Sequence, residues 1–235
     1  MVKLEPLPSS ERLYLRVARR IADLVKSGDV KPGDRLPSER VLADMLQVSR
    51  PSIREAMIAL EVSGLIEVRT GSGIFVTEQD GSSSISSVLT DDGVGPFEIL
   101  EMRLVLEPEV CALAADRITD EMLDRLSELF VAMKDLNGKP EMEAIDREFH
   151  TLIANAAENT AMAQTIEWLW RLRVQSGFSR GYHRLIVEEG VFPTLEEHKA
   201  ILDALVARDP EAARQAMRTH LLAATESAAR HFGED

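Results

Sequence analysis

GDRLPSERVLADMLQVSRPSIREAMIALEVSGLIEVRTGSGIFV, residues 33–76, is the stretch that decides the fold of the first third of the chain. Ser38 stands where an N-cap would, ahead of a helical pattern that turns Val41, Leu42 and Leu46 inward. The QVS turn leads to Ser49, placed to cap a further helix running to about Val62. Ile53, Met57 and Leu60 form its apolar stripe, which leaves Arg50, Ser52 and Arg54 at its tip or on the other side. Gly64 closes that helix. LIEV, an RTGSG turn and IFV then read as two short strands, a hairpin signature. Upstream, Leu13, Val17, Ile21, Leu24 and Val25 recur at spacings of three and four in a first helix that Gly28 ends.

Three helices followed by a hairpin is the order of a winged helix-turn-helix. Such a fold reads double-stranded DNA with the N-terminal end of its third helix, in the major groove. Arg50 and Arg54 can pair bidentately with guanine edges, and Ser49 and Ser52 can hold phosphates. Arg40 lies at the start of the second helix. In the wing, Arg69 and Thr70 would reach the minor groove, and Gly71 permits close approach of backbone.

The charge is divided to match. The whole 235-residue chain carries a net −13, yet residues 1–78 hold 12 Lys and Arg against 11 Asp and Glu. The acidity therefore belongs to the remainder, and the first module is free to approach phosphates. No apolar run approaches membrane-spanning length, and the single cysteine, Cys111, fits a core position in a cytoplasmic protein.

The quoted stretch resembles the DNA-binding domain of the GntR family of bacterial transcription regulators, through its LPSER turn, its SR-xx-REA helix and its G-SG wing. The resemblance covers residues 12–77 and implies DNA contacts at Arg40, Ser49, Arg50, Ser52, Arg54, Thr70 and Gly71. Pro51 stands where relatives often place a threonine, so no hydroxyl contact is available there.

Residues 78–96, EQDGSSSISSVLTDDGVGP, read as a linker, which gives a division into 1–78, a linker 79–95 and an all-helical module 96–235. About six helices are expected there, with Thr119, Pro140, Thr160, Pro193 and Pro210 near their starts. Pro108 should kink or break the first. Among five histidines, His150, His198 and His220 fall in separate amphipathic helices, and Asp146 precedes His150 by one helical turn. One such histidine is ordinarily core packing. Three with a carboxylate are also good ligands for zinc, nickel, copper or iron, with manganese admitted by the aspartate. Spacing alone leaves both readings open. His183 and His231 read as surface residues, and Trp168 and Trp170 as core or pocket lining.

This module is similar to the FCD ligand-binding domain of the FadR subfamily within GntR, through EMRLVLEPEVCALAA, DREFHTLIANAAENTAM and EEHKAILDALVARDPEAARQAMRTHL in that order. The resemblance implies a homodimer whose bundle holds a divalent cation, zinc before nickel or manganese, on Asp146, His150, His198 and His220. It implies a small carboxylate effector met by Arg103, with Arg171 and Arg173 as further candidates. GVGPFEILEMR and ARDPEAARQAMRTHL look closest to regulators of hexuronate catabolism, with lactate, citrate or an aldarate as alternatives. The expectation is a regulator, commonly a repressor released by its effector. A metal-dependent hydrolase or isomerase would need a general base beside the ligands. Glu148, which should face away from them, does not supply one. A purely structural metal is the third reading.

Overall fold

Gly28 ends α1 (Leu13–Ser27) in the left-handed conformation, φ +81°, with its N–H on the Val25 carbonyl. A residue without Cβ reaches that φ unstrained, so the helix stops there. Val17 and Ile21 are buried, as their spacing requires. Leu13 is not: it is 42% exposed, and Tyr14 and Leu15 take the inward positions of that opening turn. The structure, a computed structural model, describes residues 12–69, 71–78, 93–137, 139–175, 177–188 and 195–230, without the side chains of 186–188, 228 and 230. Thr70, His231 and most of the expected linker, residues 79–92, lie outside the described residues.

In α2 (Glu39–Leu46), Ser38 occupies the N-cap position without a side-chain capping bond. Ser49 does cap α3 (Arg50–Val62), its Oγ accepting from the Ser52 N–H at 3.3 Å. Between the helices Gln47 adopts φ +52° and makes the turn tight. Ile53, Met57 and Leu60 are fully buried on the inner side of α3. Strands β1 (Ile66–Arg69) and β2 (Gly73–Val76) pair antiparallel, with Ile66 opposite Val76 and Arg69 opposite Gly73. The Leu36 N–H donates to the Ile74 carbonyl at 2.8 Å, so the loop before α2 is tied to the hairpin. Three helices and a hairpin are what these residues form.

The chain divides into two compact units between Asp92 and Gly93. Among the described residues the second is all helix: α4 (Pro96–Arg117), α5 (Asp120–Asp135), α6 (Met142–Ala156), α7 (Thr160–Gln175), α8 (Gly177–Glu188), α9 (Leu195–Val206) and α10 (Pro210–Arg230). Polar residues start several of them. Thr119 Oγ1 accepts from Met122 N–H, Asn159 Oδ1 from Ala161 and Met162, and Asp209 Oδ1 from Glu211 and Ala212. α4 and α10 make the most extensive helix pairing of the bundle, and α9 packs on both α10 and α5.

A break at Pro108 and a count of about six helices are the two expectations that fail here. α4 continues through Pro108 without a break, because residues on both sides of the proline are buried along it, from Phe97 and Ile99 to Cys111 and Ala115. A seventh helix, α8, is present where glycines at 177 and 181 weaken the helical pattern. Phe178 and Tyr182, one turn apart and each 1% exposed, anchor it. Cys111 is fully buried, and burial, with Glu107 nearby, pushes its thiol far above the ordinary range. No helix among the described residues is long and apolar enough to cross a membrane.

Candidate functional site

The stripe of α6 that faces the bundle core runs Met142, Asp146, Phe149, His150, Ile153, so two polar residues stand in an apolar row. Equivalent rows bring His198 inward with Ile201 and Leu205 on α9, and His220 with Met217 and Leu221 on α10. The four polar side chains converge. Each offers one donor atom, all four atoms lie within 4.8 Å of one another, and all four residues are buried. Asp146 Oδ1 is 2.8 Å from His198 Nε2 and 3.4 Å from His150 Nε2. Phe149 closes the layer below, its ring edge-on to His198 at 5.3 Å.

Two of the other ring nitrogens have carboxylate partners. His150 Nδ1 lies 2.5 Å from Glu107 Oε2, and His220 Nδ1 lies 3.1 Å from Glu197 Oε2. A carboxylate on Nδ1 fixes the tautomer and leaves the Nε2 lone pair for the cluster, which is how metal-bound histidines are oriented. Glu107 also receives Arg103 Nε–H at 2.6 Å, so one carboxylate joins an arginine to a histidine of the cluster. Sequence spacing pointed to neither glutamate. Glu107 sits one turn after Arg103, and Glu197 directly precedes His198; their histidine partners come from other helices.

Charge follows this wiring. Burial alone raises a carboxyl, yet Arg103 and His150 outweigh it and hold Glu107 down at about 2. Burial likewise opposes ionisation of Asp146, but His150 and His198 keep it well below the usual carboxylate range. His150 is raised by Glu107 and Asp146 in spite of burial, so the cluster attracts a positive charge. His220 is pushed down to about 4, chiefly by burial, and is neutral at pH 7. His150 Nε2 is buried and among the described residues has no hydrogen-bond partner; its approach to Asp146 lacks the alignment of one. One ion with bonds of ~2.0–2.2 Å nearly spans four donors so placed and would satisfy that nitrogen. The residues fit a divalent metal.

The arginines divide. Arg103 is 3% exposed, and its guanidinium lies 4.2 Å from the centre of the Trp170 ring. Arg173 lies 4.4 Å from the same ring and donates through Nε to His183 Nε2 at 2.9 Å. Arg171 is exposed and makes no hydrogen bond or ion pair with the four ligands among the described residues. His183 is therefore not a surface residue: it is half-buried, and burial, then Arg173, holds it well below the usual imidazole range. Trp170 is buried 5.4 Å from the His150 ring, whereas Trp168 is 45% exposed. Glu148 faces outward on Arg125, as its place opposite the cluster requires.

In the first unit, Arg50 stands at the N-terminus of α3 with half its side chain exposed, beside exposed Ser49. Ser49 and Ser52 share a hydroxyl hydrogen bond at 2.8 Å. Arg54 is more enclosed. Its Nε and one amino group grip buried Glu39 at 3.0 and 2.9 Å, and Arg50 reaches the same carboxylate at 4.0 Å. Arg40 is exposed at the start of α2. Arg69 is exposed on β1, stacked on Phe75 at 4.6 Å, and Gly71 takes φ +72° in the turn.

Two family models match. Bacterial regulatory proteins, gntR family, matches residues 13–76, and the FCD domain matches residues 98–223. The Uxu operon transcriptional regulator of Escherichia coli is 34% identical over 220 residues, 91% of this chain and 85% of that one. The Exu regulon transcriptional regulator of the same organism is 34% identical over 212 residues, 89% of this chain and 82% of that one. Among solved structures, Streptococcus agalactiae GntR is 29% identical with a TM-score of 0.44, over 89% of this chain and 98% of that one.

Proposed function

This chain belongs to the gntR family of bacterial regulatory proteins and carries its FCD domain, and from that premise we propose a homodimeric, cytoplasmic operator-binding repressor that senses a hexuronate at a metal centre. The family and its relatives here are transcriptional regulators, not enzymes. The observation that carries the sensing part is the buried set of Asp146, His150, His198 and His220, with one imidazole nitrogen left unsatisfied.

Residues 1–78 are the DNA-reading module in this account and 96–235 the effector module, joined by a linker over 79–95. Arg40, Ser49, Arg50, Ser52, Arg54, Arg69, Thr70 and Gly71 face the operator, with Arg50 the most available to base edges. When bound, a divalent ion, zinc before nickel or manganese, supplies a positive centre for a carboxylate. Glu107 and Glu197 keep two imidazoles in the ligating tautomer. Arg103 and Arg173 add positive field beside Trp170, and Arg103 is the partner for the effector carboxylate. Arg171, exposed on α7, is the weaker candidate for the same effector. The hexuronate assignment is supported by the relatives named for the Uxu operon and the Exu regulon. A coupling free energy of ~1–3 kcal/mol between effector and operator is enough to change occupancy usefully.

Metal analysis of the purified chain tests this reading: about one divalent ion per chain, removed by chelator. Glu197→Gln should keep the fold and weaken metal binding by ~10–100-fold, the usual cost of losing an outer carboxylate partner. Competition titration against a chromophoric chelator reads it; unchanged affinity would remove Glu197 from the centre.

A further inference from the structure

Trp170 is 2% exposed, and among the described residues its indole N–H has no hydrogen-bond partner. A buried donor is seldom left unmade, because its lost hydration is then uncompensated. The position of this one is informative. Its ring lies 5.4 Å from that of His150, and both Arg103 and Arg173 stack on it, at 4.2 and 4.4 Å. Arg103 is held by Glu107 and is already assigned to the effector carboxylate at the metal. Arg173 has its Nε on His183 and only a long 3.7 Å approach to Glu143, whose side chain is 37% exposed. An N–H seeking an acceptor thus sits on the ring that a largely enclosed guanidinium covers, and that guanidinium's closest ion pair among the described residues is the 3.7 Å one to Glu143. The acceptor such a pair selects is an oxygen carrying negative charge or polarised by it.

We propose that Trp170 and Arg173 form a second recognition point beside the cluster, for an effector oxygen other than the one held at the metal. The inference rests on the reading of Asp146, His150, His198 and His220 as an effector-sensing centre. It narrows the effector class: a simple monocarboxylate satisfies one point, while a hydroxy acid or sugar acid with a second oxygen satisfies both. His183 is the positioning residue. Its ring accepts from Arg173 Nε, whose guanidinium lies over the indole.

The test uses full-length, metal-loaded protein, with D-glucuronate as the two-point probe and acetate as the one-point probe, followed by calorimetry. Trp170→Phe keeps the ring and deletes the donor. It should weaken glucuronate by about tenfold or more, the effect of one buried donor left without its partner, and leave acetate and metal content unchanged. Arg173→Met should weaken glucuronate further, and by clearly more than it weakens acetate, which loses only the field of the charge and no direct contact. The chain has two tryptophans, and exposed Trp168 is an internal reference. The Trp170 indole N–H resonance should shift with glucuronate in the unsubstituted chain and stay with acetate, which tests the contact even if a variant fails to fold.

Equal affinities in Trp170→Phe would mean that water satisfies the indole, and would overturn the proposal. So would equal weakening of both probes, which would place Trp170's effect on the metal cluster. Binding of acetate without any binding of sugar or hydroxy acids would refute the second point alone. Failure of every acid to bind the unsubstituted chain would remove the sensing reading and this inference with it.

Discussion

Asp146→Ala should strip the chain of its metal and abolish the stabilisation the metal gives. Asp146 Oδ1 meets His198 at 2.8 Å and approaches His150 at 3.4 Å, so it is the shared carboxylate of two imidazoles. Its removal deletes one ligand and the nearest counter-charge at once. The loss of metal affinity should exceed the ~10–100-fold that an outer partner such as Glu197 is worth. An ion present at about a hundredfold excess over its dissociation constant stabilises the native state by ~2.7 kcal/mol. For a chain of this size that is a rise of roughly 5–10 °C in melting temperature. Chelator should therefore lower the melting temperature of the unsubstituted chain by that amount and leave Asp146→Ala where it is. A chelator effect of equal size in both proteins would put the metal elsewhere.

Arg50→Ala should weaken operator binding by roughly 1–3 kcal/mol, or about 5–150-fold, and relax selectivity at one base position. Arg50 is half exposed at the tip of α3, where a recognition helix enters the groove. It is a cleaner test than Arg54→Ala. Arg54 is only 15% exposed and grips Glu39, a buried carboxylate, so its loss perturbs the packing of α2 on α3 as well as any DNA contact. Titration of labelled operator at fixed salt reads the difference. Wild-type affinity in Arg50→Ala would contradict the placement of α3 against DNA.

The first unit was legible because its signals are local. Gly28, Ser49 and Gly64 sit at positions where backbone geometry demands them, and the apolar stripe of α3 is fully buried. Local signals also mislead: Leu13 has the right spacing but the wrong place in its helix, and Pro108 is carried by packing on both sides. α8 escaped detection because its stability comes from Phe178 and Tyr182 against the bundle, while its glycines oppose helix formation. The four candidate ligands could be named from three helical rows of apolar residues, one interrupted by both Asp146 and His150 and the others by His198 and His220. Glu107, Glu197 and the Arg173–His183 pair could not, since their partners are 43, 23 and 10 residues away and only the packing of helices brings them together. The same holds for Trp170, which differs from Trp168 by two residues and a half-turn of helix.

The central claim is that one buried centre converts a sugar acid into a change of operator occupancy. The most direct measurement is operator binding by the full-length protein, titrated with D-glucuronate and D-galacturonate, before and after chelation and after metal is restored. The account predicts release of operator by hexuronate from the metal-loaded protein, no response after chelation, and recovery when metal returns. Operator binding that responds equally with and without metal, or to neither acid in the loaded protein, would contradict it.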